Sequence, residues 1–303
     1  MTRKGWLLFA ALAVVWGVPY LFIRIAVQAG LSPSVVVFSR TLIGGLLLLP
    51  IAARRGALRP LLPRWRWVVV FAAIEIGAPF LLLGYAEQRL TSSLTALMMA
   101  LVPIIVAVLS WAMRLQDRLD RRRVLGLLVG LSGVAALVGI DVGAGDAWAV
   151  AAAALAATGY ASGPILTTTV LDRLPGLGIA AVALGLNGLW YAPVAWYTRP
   201  SDLGAVPTRG WVAVVVLGVV CSALAFVLFF ELVAEVGPSR TPVITFLNPA
   251  VAVALGVLVL SEPITWGLVI GFPLVLLGSW LATRRSRTST APAVGASPAA
   301  APG

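Results

Sequence analysis

The chain has 303 residues, of which 60% are hydrophobic and only 11% are charged. A soluble domain carries about a quarter charged residues, so this composition excludes an ordinary water-soluble protein and indicates a chain that lies mostly in lipid. There is no histidine, and the single cysteine, Cys221, stands in an apolar stretch. We therefore expect no disulfide, no metal site and no other cofactor.

Ten apolar runs approach or exceed the ~20 residues that a membrane-crossing helix needs. The sequence thus predicts an all-α membrane protein with ten transmembrane helices. The first run is too long for the apolar core of a signal peptide and lacks a cleavage site, so we interpret it as the first span. The predicted spans are 6–27, 34–53, 67–86, 92–113, 124–140, 147–170, 177–197, 211–234, 239–260 and 264–283.

The net charge of +11 comes mainly from the loops. If the N-terminus is cytoplasmic, 17 of the 22 lysines and arginines lie in cytoplasmic segments and three in outside loops. The positive-inside bias produces this asymmetry. It predicts a multi-pass protein of the bacterial plasma (inner) membrane with both termini cytoplasmic. Because the bias accounts for the charge, we expect the lipid bilayer, and not nucleic acid, as its partner.

The two halves of the chain form an internal repeat. When Trp65 is aligned with Trp211, the register continues without a gap through Pro103, which falls on Pro249. Five spans per half is an odd number, so the second half is inverted relative to the first. Inverted repeats around a central cavity are typical of secondary transporters; the alternative is a repeat kept only for folding.

This repeat divides the chain into two predicted domains and a tail. The first five-helix repeat covers 1–143 and the second covers 144–285. The last segment, 286–303, is rich in alanine, proline, serine and threonine and is predicted to be a disordered cytoplasmic tail.

Several motifs resemble EamA-type members of the drug/metabolite transporter superfamily. The stretch from Val236 to Ala282 resembles the second repeat of that family, and the pair Trp16-Gly17 followed by Arg24 resembles the first. The resemblance covers nearly the whole chain and implies a ten-helix transporter; relatives export amino acids, other metabolites or toxic compounds. Two positions depart from the pattern. Asn248 stands where members often have an acid, and Arg24 stands where lysine is common.

Two ionisable residues lie deep in the predicted spans. At ~1.5 Å per residue, Glu75 is ~12 Å from the cytoplasmic end of span three and Arg40 is ~9 Å from the outer end of span two. An ionisable group in hydrocarbon costs at least about 2.5–3.5 kcal/mol, so each needs a partner or a wet cavity. We interpret them as candidates for binding substrate charges or a proton. A structural ion pair between spans two and three is the alternative.

Other charged residues lie nearer the span ends. Arg24 is expected to snorkel to the interface. Glu231, close to the cytoplasmic end of span eight, is a cavity candidate that could instead simply reach water. Glu87 is expected to be solvated, and Glu262 to cap or position a helix end.

Three aromatic residues and two amides lie in the interior of the spans. Trp16 and Tyr20 share a face of span one, and Tyr160 is their approximate counterpart in span six. They are candidates for stacking on a substrate or closing a gate, with helix or lipid packing as the alternative. Asn187 and Asn248 need hydrogen-bond partners in lipid, which either a neighbouring helix or a ligand could supply.

Prolines and glycines indicate where helices break or pack closely. The repeat-related pair Pro103 and Pro249 is predicted to mark a hinge or a broken helix. Glycines recur on one face of span five and of span ten, a spacing that suits close helix packing or a homodimer contact. These glycines are Gly126, Gly130 and Gly133 in span five and Gly267, Gly271 and Gly278 in span ten.

These observations predict a secondary transporter that exports a small-molecule substrate, with amino acids or related amphiphilic compounds as the leading class. The alternative is a proton-coupled exporter of drugs or toxic compounds. The chain has no ATP-binding loop of the Walker type, so the energy must come from a gradient or from downhill flow of the substrate. An intramembrane enzyme acting on lipid-linked substrates is the rival from another class, but the acids are scattered rather than clustered at one interface. A receptor would lack a soluble signalling domain.

Overall fold

The computed structural model describes residues 2–115, 121–141, 143–236, 244 and 247–283. Eight of its helical segments are long and apolar enough to cross a membrane, and two shorter apolar helices follow. The predicted all-α fold of ten spans in two inverted five-helix repeats is confirmed. In chain order the ten spans are Arg3–Gln28, Pro33–Arg54, Arg59–Ala86, Ser92–Ala112, Arg121–Ile140, Ala147–Thr169, Gly176–Thr198, Thr208–Val236, Leu247–Leu260 and Trp266–Leu281.

Short connections make consecutive spans antiparallel, so the bundle has two ends. The arginine-rich end carries residues 55–64, and there the side chain of Arg64 donates to the carbonyl of Val170, 2.6 Å away. The opposite end carries residues 87–91 and 261–265. The hydrogen bond from Arg64 to Val170 therefore joins the two repeats at the arginine-rich end.

Span four is broken in its middle. It consists of two helices, Ser92–Met99 and Val102–Ala112, and Pro103 is the second residue of the later one. Proline has no N–H to donate and its ring clashes with the carbonyl four residues earlier, so a regular helix cannot pass through this point. The hydroxyl of Ser279 in span ten donates to the carbonyl of Ala100, which the break leaves free.

The second proline of the pair stands in the first turn of the helix of span nine. That helix is Leu247–Leu260, and Pro249 is its third residue. The predicted start of span nine, 239–243 and 245–246, lies outside the described residues.

Spans five and ten touch backbone to backbone through the predicted glycines. A Cβ added to Gly278 would lie 2.3 Å from the nitrogen of Gly130 and 2.6 Å from the carbonyl oxygen of Gly126. A Cβ added to Gly271 would lie 2.7 Å from the carbonyl oxygen of Gly133. The glycine faces thus meet each other within one chain, and a homodimer would have to use another surface.

Spans two and seven, the second spans of the two repeats, also pack closely. A Cβ added to Gly45 of span two would lie 2.9 Å from the nitrogen of Gly185 in span seven. A Cβ added to Gly188 would lie 3.1 Å from the Cα of Leu42. This contact brings one span of each repeat to the middle of the molecule, where the candidate site lies.

Candidate functional site

Spans three and eight each contain one wide turn of π-helix at nearly equivalent positions of the repeat. In span three it covers Ala72–Gly77, and the N–H of Ala78 donates to the carbonyl of Ala73, five residues back. In span eight it covers Val219–Leu224. Such turns are rare and occur frequently at functional sites.

Local chemistry accounts for both π turns. Pro79 follows Glu75 by four residues, the spacing of an α-helical hydrogen bond. Because proline has no N–H, it cannot donate to the carbonyl of Glu75, and its ring would clash with that carbonyl in a regular helix. In span eight the hydroxyl of Ser222 donates to the carbonyl of Leu217, five residues back, at 2.9 Å. In the register of the repeat, Glu75 aligns with Cys221. The two halves therefore share a discontinuity but place different side chains on it.

Span seven of the second repeat contacts the π turn of the first. The amide nitrogen of Asn187 donates to the carbonyl of Ala72 at 2.8 Å, and the hydroxyl of Tyr191 donates to the carbonyl of Gly77 at 3.0 Å. Asn187 is fully buried. Of the two interpretations of this amide, the structure shows the interhelical hydrogen bond.

We expect Asn187→Leu to lower the thermal unfolding midpoint of the detergent-solubilised protein. The substitution leaves the Ala72 carbonyl without its side-chain donor, which costs about 1–3 kcal/mol for a buried group. Tyr191→Phe removes a single neutral hydrogen bond and should cost about 0.5–1.5 kcal/mol. Equal midpoints for wild type and Asn187→Leu would contradict this role of the amide.

Span two of the first repeat makes the reciprocal contact with the π turn of the second. A guanidinium nitrogen of Arg40 lies 3.5 Å from the hydroxyl oxygen of Ser222, to which it donates. The guanidinium carbon of Arg40 also lies 3.7 Å from the ring centroid of Phe80. Because only 3% of Arg40 is exposed, this cation lies between the repeats and away from water.

Two tyrosines also belong to the surroundings of Arg40. The rings of Tyr160 and Phe80 lie 6.4 Å apart, and both Tyr20 and Tyr160 interact electrostatically with Arg40. We refer to Tyr20, Arg40, Phe80, Tyr160 and Ser222 as the central cluster. It combines a cation, aromatic faces and hydroxyl groups, the side chains that would bind a carboxylate next to an apolar body.

Arg40 and Glu75 do not form the structural ion pair that was the alternative interpretation. No carboxylate lies within salt-bridge distance of Arg40 in the part of the chain that the structure describes. The Nε of Arg40 is buried without a hydrogen-bond partner. The carboxyl of Glu75 instead packs against Gly163 of span six, and its Oε2 is buried without a partner. The two deepest charges therefore lie apart.

Besides Glu75 and Asn187, three more predicted site residues lie outside the central cluster. The ring of Trp16 packs on that of Phe229 with centroids 5.1 Å apart. Asn248, in the first turn of the span-nine helix, has a buried Oδ1 without a partner. The carboxylate of Glu231 lies 3.8 Å from the ammonium of Lys4 at the arginine-rich end, and 43% of its side chain is exposed.

The prediction that Glu87 is solvated is wrong. Glu87 is fully buried, and neither carboxylate oxygen has a hydrogen-bond partner. Its backbone follows directly on the end of span three, where Arg24 donates to the carbonyls of Glu87 and Leu90. Arg24, which was expected to snorkel to the interface, is partly buried, and its guanidinium caps the end of span three.

The capping role predicted for Glu262 is confirmed. Its carboxylate accepts hydrogen bonds from the backbone nitrogens of Ser92 and Ser93, at 2.7 and 3.0 Å, and from the hydroxyl of Ser93 at 2.5 Å. These are the first two residues of span four, where free N–H groups and the helix dipole favour an anion. Glu262 thus ties the second repeat to the first at the end opposite the arginines.

Phe80 and Ser222 belong to the central cluster but were not predicted from the sequence. The repeat held a usable signal, since its register aligns Phe80 with Phe226 and places Ser222 next to the counterpart of Glu75. A comparison of polar residues between the halves would have found the serine. The contact of Phe80 with Arg40 depends on packing between spans and has no sequence signal.

A sequence model of the EamA-like transporter family matches the chain twice, over residues 3–139 and 147–284. A solved crystal structure resembles the chain with a TM-score of 0.64 at 21% identity, covering 93% of this chain and 97% of the other. At that identity the likeness shows a common fold.

Curated relatives match over most of their length. An uncharacterized transporter of Bacillus subtilis, YvbV, is 27% identical over 95% of this chain and 94% of its own. Protein PecM of Dickeya dadantii is 28% identical over 85% of this chain and 84% of its own. A probable terminal-alkyne amino-acid exporter of Streptantibioticus cattleyicolor is 25% identical over 94% of this chain and 95% of its own.

Proposed function

Because the chain belongs to the EamA-like transporter family, we propose that it exports small carboxylated metabolites across the bacterial plasma membrane by alternating access. Amino acids and related amphiphilic compounds are the leading class of substrate. In this proposal the arginine-rich end faces the cytoplasm, as the positive-inside bias favours, and the opposite end faces outward.

The single observation that carries the substrate class is the buried Arg40. A cation in this position is costly unless an anion compensates it, and the described residues offer it no carboxylate. A substrate carboxylate entering between the repeats would supply that anion. The aromatic faces of Phe80 and Tyr160 would then contact the apolar part of the same molecule.

Two further points support the proposal. One full-length relative is named a probable terminal-alkyne amino-acid exporter, and an amino acid has the carboxylate and the apolar portion that the central cluster would bind. The site also lies between inverted repeats, where rocking of one half against the other exposes a midplane site to each side in turn.

Proton coupling with a broader, drug-like substrate range is the second candidate function. It is favoured by Glu75, whose buried Oε2 has no hydrogen-bond partner. A carboxyl held in this way can bind a proton in one access state and release it in the other. Export by alternating access is common to both candidates.

The experiment is a comparison of the small molecules released by cells that express wild type, Glu75→Gln or an empty vector. We expect wild type to enrich one class of carboxylated metabolite in the medium above the vector level. Glu75→Gln should keep downhill release and lose its dependence on an imposed pH gradient if that carboxyl carries the proton. No enrichment by wild type under any condition would contradict export.

A further inference from the structure

Glu87 occupies a site that the proposed function does not use. It immediately follows the last residue of span three, Ala86, at the end of the bundle opposite the arginines. The residue is fully enclosed, and both carboxylate oxygens lack a hydrogen-bond partner. A carboxylate without donors in such a place is unstable, whereas a neutral carboxylic acid is tolerated.

The groups around Glu87 are committed to other partners. On span one, the guanidinium of Arg24 is engaged with the backbone carbonyls of Glu87 and Leu90. From the segment between spans nine and ten, Glu262 is engaged with the backbone of Ser92 and Ser93. Arg24 attracts the charged form of Glu87 and Glu262 repels it.

Two further charged groups flank the same segment, and a tyrosine connects it to the centre. Arg89 lies 3.9 Å from Asp146, at the start of span six. Tyr20 of span one interacts electrostatically with both Glu87 and Arg40. The segment 87–93 is therefore held by span one, by Asp146 before span six and by Glu262 between spans nine and ten.

We propose that Glu87 is a proton-binding site that opens and closes the outer end of the transport path according to the pH of the outer medium. The proposal uses the orientation and the alternating access of the proposed function. With a proton bound, the neutral carboxyl stays enclosed and segment 87–93 remains against Arg24 and Glu262. When the proton is released to the outer medium, the carboxylate must become hydrated, and segment 87–93 separates from Arg24 and Glu262.

The direction of the pH dependence follows from burial. Burial raises the pKa of the Glu87 carboxyl well above its usual range, although Arg24 opposes this and Glu262 adds to it. The closed form therefore binds the proton more tightly than the open, hydrated form. The free-energy stabilisation of the closed form over the open form is complete at low pH. It is lost as the pH rises through the raised pKa of Glu87 in the closed form.

The chain carries its own reporter for the test. Cys221 is its only cysteine, is 4% exposed and interacts electrostatically with Arg40. Intact cells expressing the full chain would be treated with a membrane-impermeant, charged methanethiosulfonate. The external pH would be varied from about 6 to 8.5, which is ~2 to 4 units above the ordinary pKa of a glutamate. The rate of Cys221 labelling measures access from outside to the centre. Dividing the wild-type rate by that of Glu87→Gln cancels the reagent's own pH dependence.

We expect this ratio to rise about tenfold between the lowest and highest pH, as release of one proton allows. Glu87→Gln mimics the protonated form and should stay closed throughout; Glu87→Met replaces it if the glutamine variant does not reach the membrane. Glu262→Gln, which weakens the cap, should label faster, and its pH dependence should shift to lower pH because the charge that adds to the raised pKa of Glu87 is gone. The proposal is overturned if wild type is labelled no faster than the Glu87 variants at any pH. This includes the case in which wild type is not labelled at all. Thiol labelling requires no substrate, so this outcome is distinct from a failure to detect export.

Discussion

Replacing Arg40 by methionine is expected to abolish export of carboxylated substrates while raising the thermal stability of the protein. The guanidinium is buried, and the described residues provide no carboxylate for it. Methionine keeps the unbranched stem and removes the charge, and replacing buried charges by apolar residues of similar volume is often stabilising. Loss of a buried charge-assisted contact to the substrate costs about 2–5 kcal/mol, or roughly a 30- to 5,000-fold loss of affinity.

Two measurements on the same preparations separate the functional role of Arg40 from a structural one. Export into the medium should fall to the vector level for Arg40→Met. The Arg40→Lys variant should keep part of the wild-type export, because lysine keeps the charge but lacks the planar guanidinium group. The unfolding midpoint in detergent should rise for Arg40→Met. A carboxylated substrate that raises the wild-type midpoint should not raise that of the variant.

Arg199 supplies a matched control for this experiment. Its guanidinium carbon lies 3.4 Å from the ring centroid of Trp196, so it too is an arginine on an aromatic face, but it is exposed beyond the end of span seven. We expect Arg199→Met to export like wild type. If Arg40→Met instead lowered the midpoint and the export together, the arginine would be a structural residue.

The second large effect is expected for Gly278→Ala in span ten. The added Cβ would lie 2.3 Å from the nitrogen of Gly130, 2.5 Å from its Cα and 2.6 Å from the carbonyl oxygen of Gly126. All three atoms are backbone, so spans five and ten can accept the methyl group only by moving apart. Overpacking costs about 1–3 kcal/mol where side chains can adjust, and we expect at least the upper value here. The variant should reach the membrane in much lower amount and unfold at a lower temperature.

Two glycines of span five calibrate that result. A Cβ at Gly139 has no neighbour within 4 Å, so Gly139→Ala should match wild type or exceed it slightly, since alanine favours helix. A Cβ at Gly130 meets chiefly the terminal carbon of Ile104, at 2.4 Å, which can rotate away. We expect stability in the order Gly139→Ala, Gly130→Ala, Gly278→Ala. Equal stability of all three would show that the helices do not meet as described.

Much of the fold could be predicted because the bilayer imposes it. The length of the apolar runs predicts the spans, and the odd number of spans per repeat predicts the inversion. The break of span four at Pro103 follows from the missing N–H of proline. Such features depend on one stretch of chain and its solvent, and no knowledge of neighbouring spans is needed.

The site was less predictable because its properties arise between spans. Depth along a helix brings Arg40 and Glu75 to similar levels, yet rotation about the helix axes places one against Phe80 and the other against Gly163. The prediction that Glu87 is solvated was wrong for the same reason. Proximity to a span end indicates solvation only when no other segment covers that end, and Glu262, far along the chain, contributes to the cover.

The two π turns are geometric twins with unlike chemistry, since one carries Glu75 and the other carries Cys221 at the aligned position. A duplicated and inverted chain could exchange its two shapes at no net free energy if the copies were identical. This chain must instead bury or hydrate a carboxyl in one half with no counterpart in the other. Its resting population should therefore be biased toward one shape before any substrate binds. In the proposed alternating-access cycle, that bias would set the side of the membrane from which substrate is first bound.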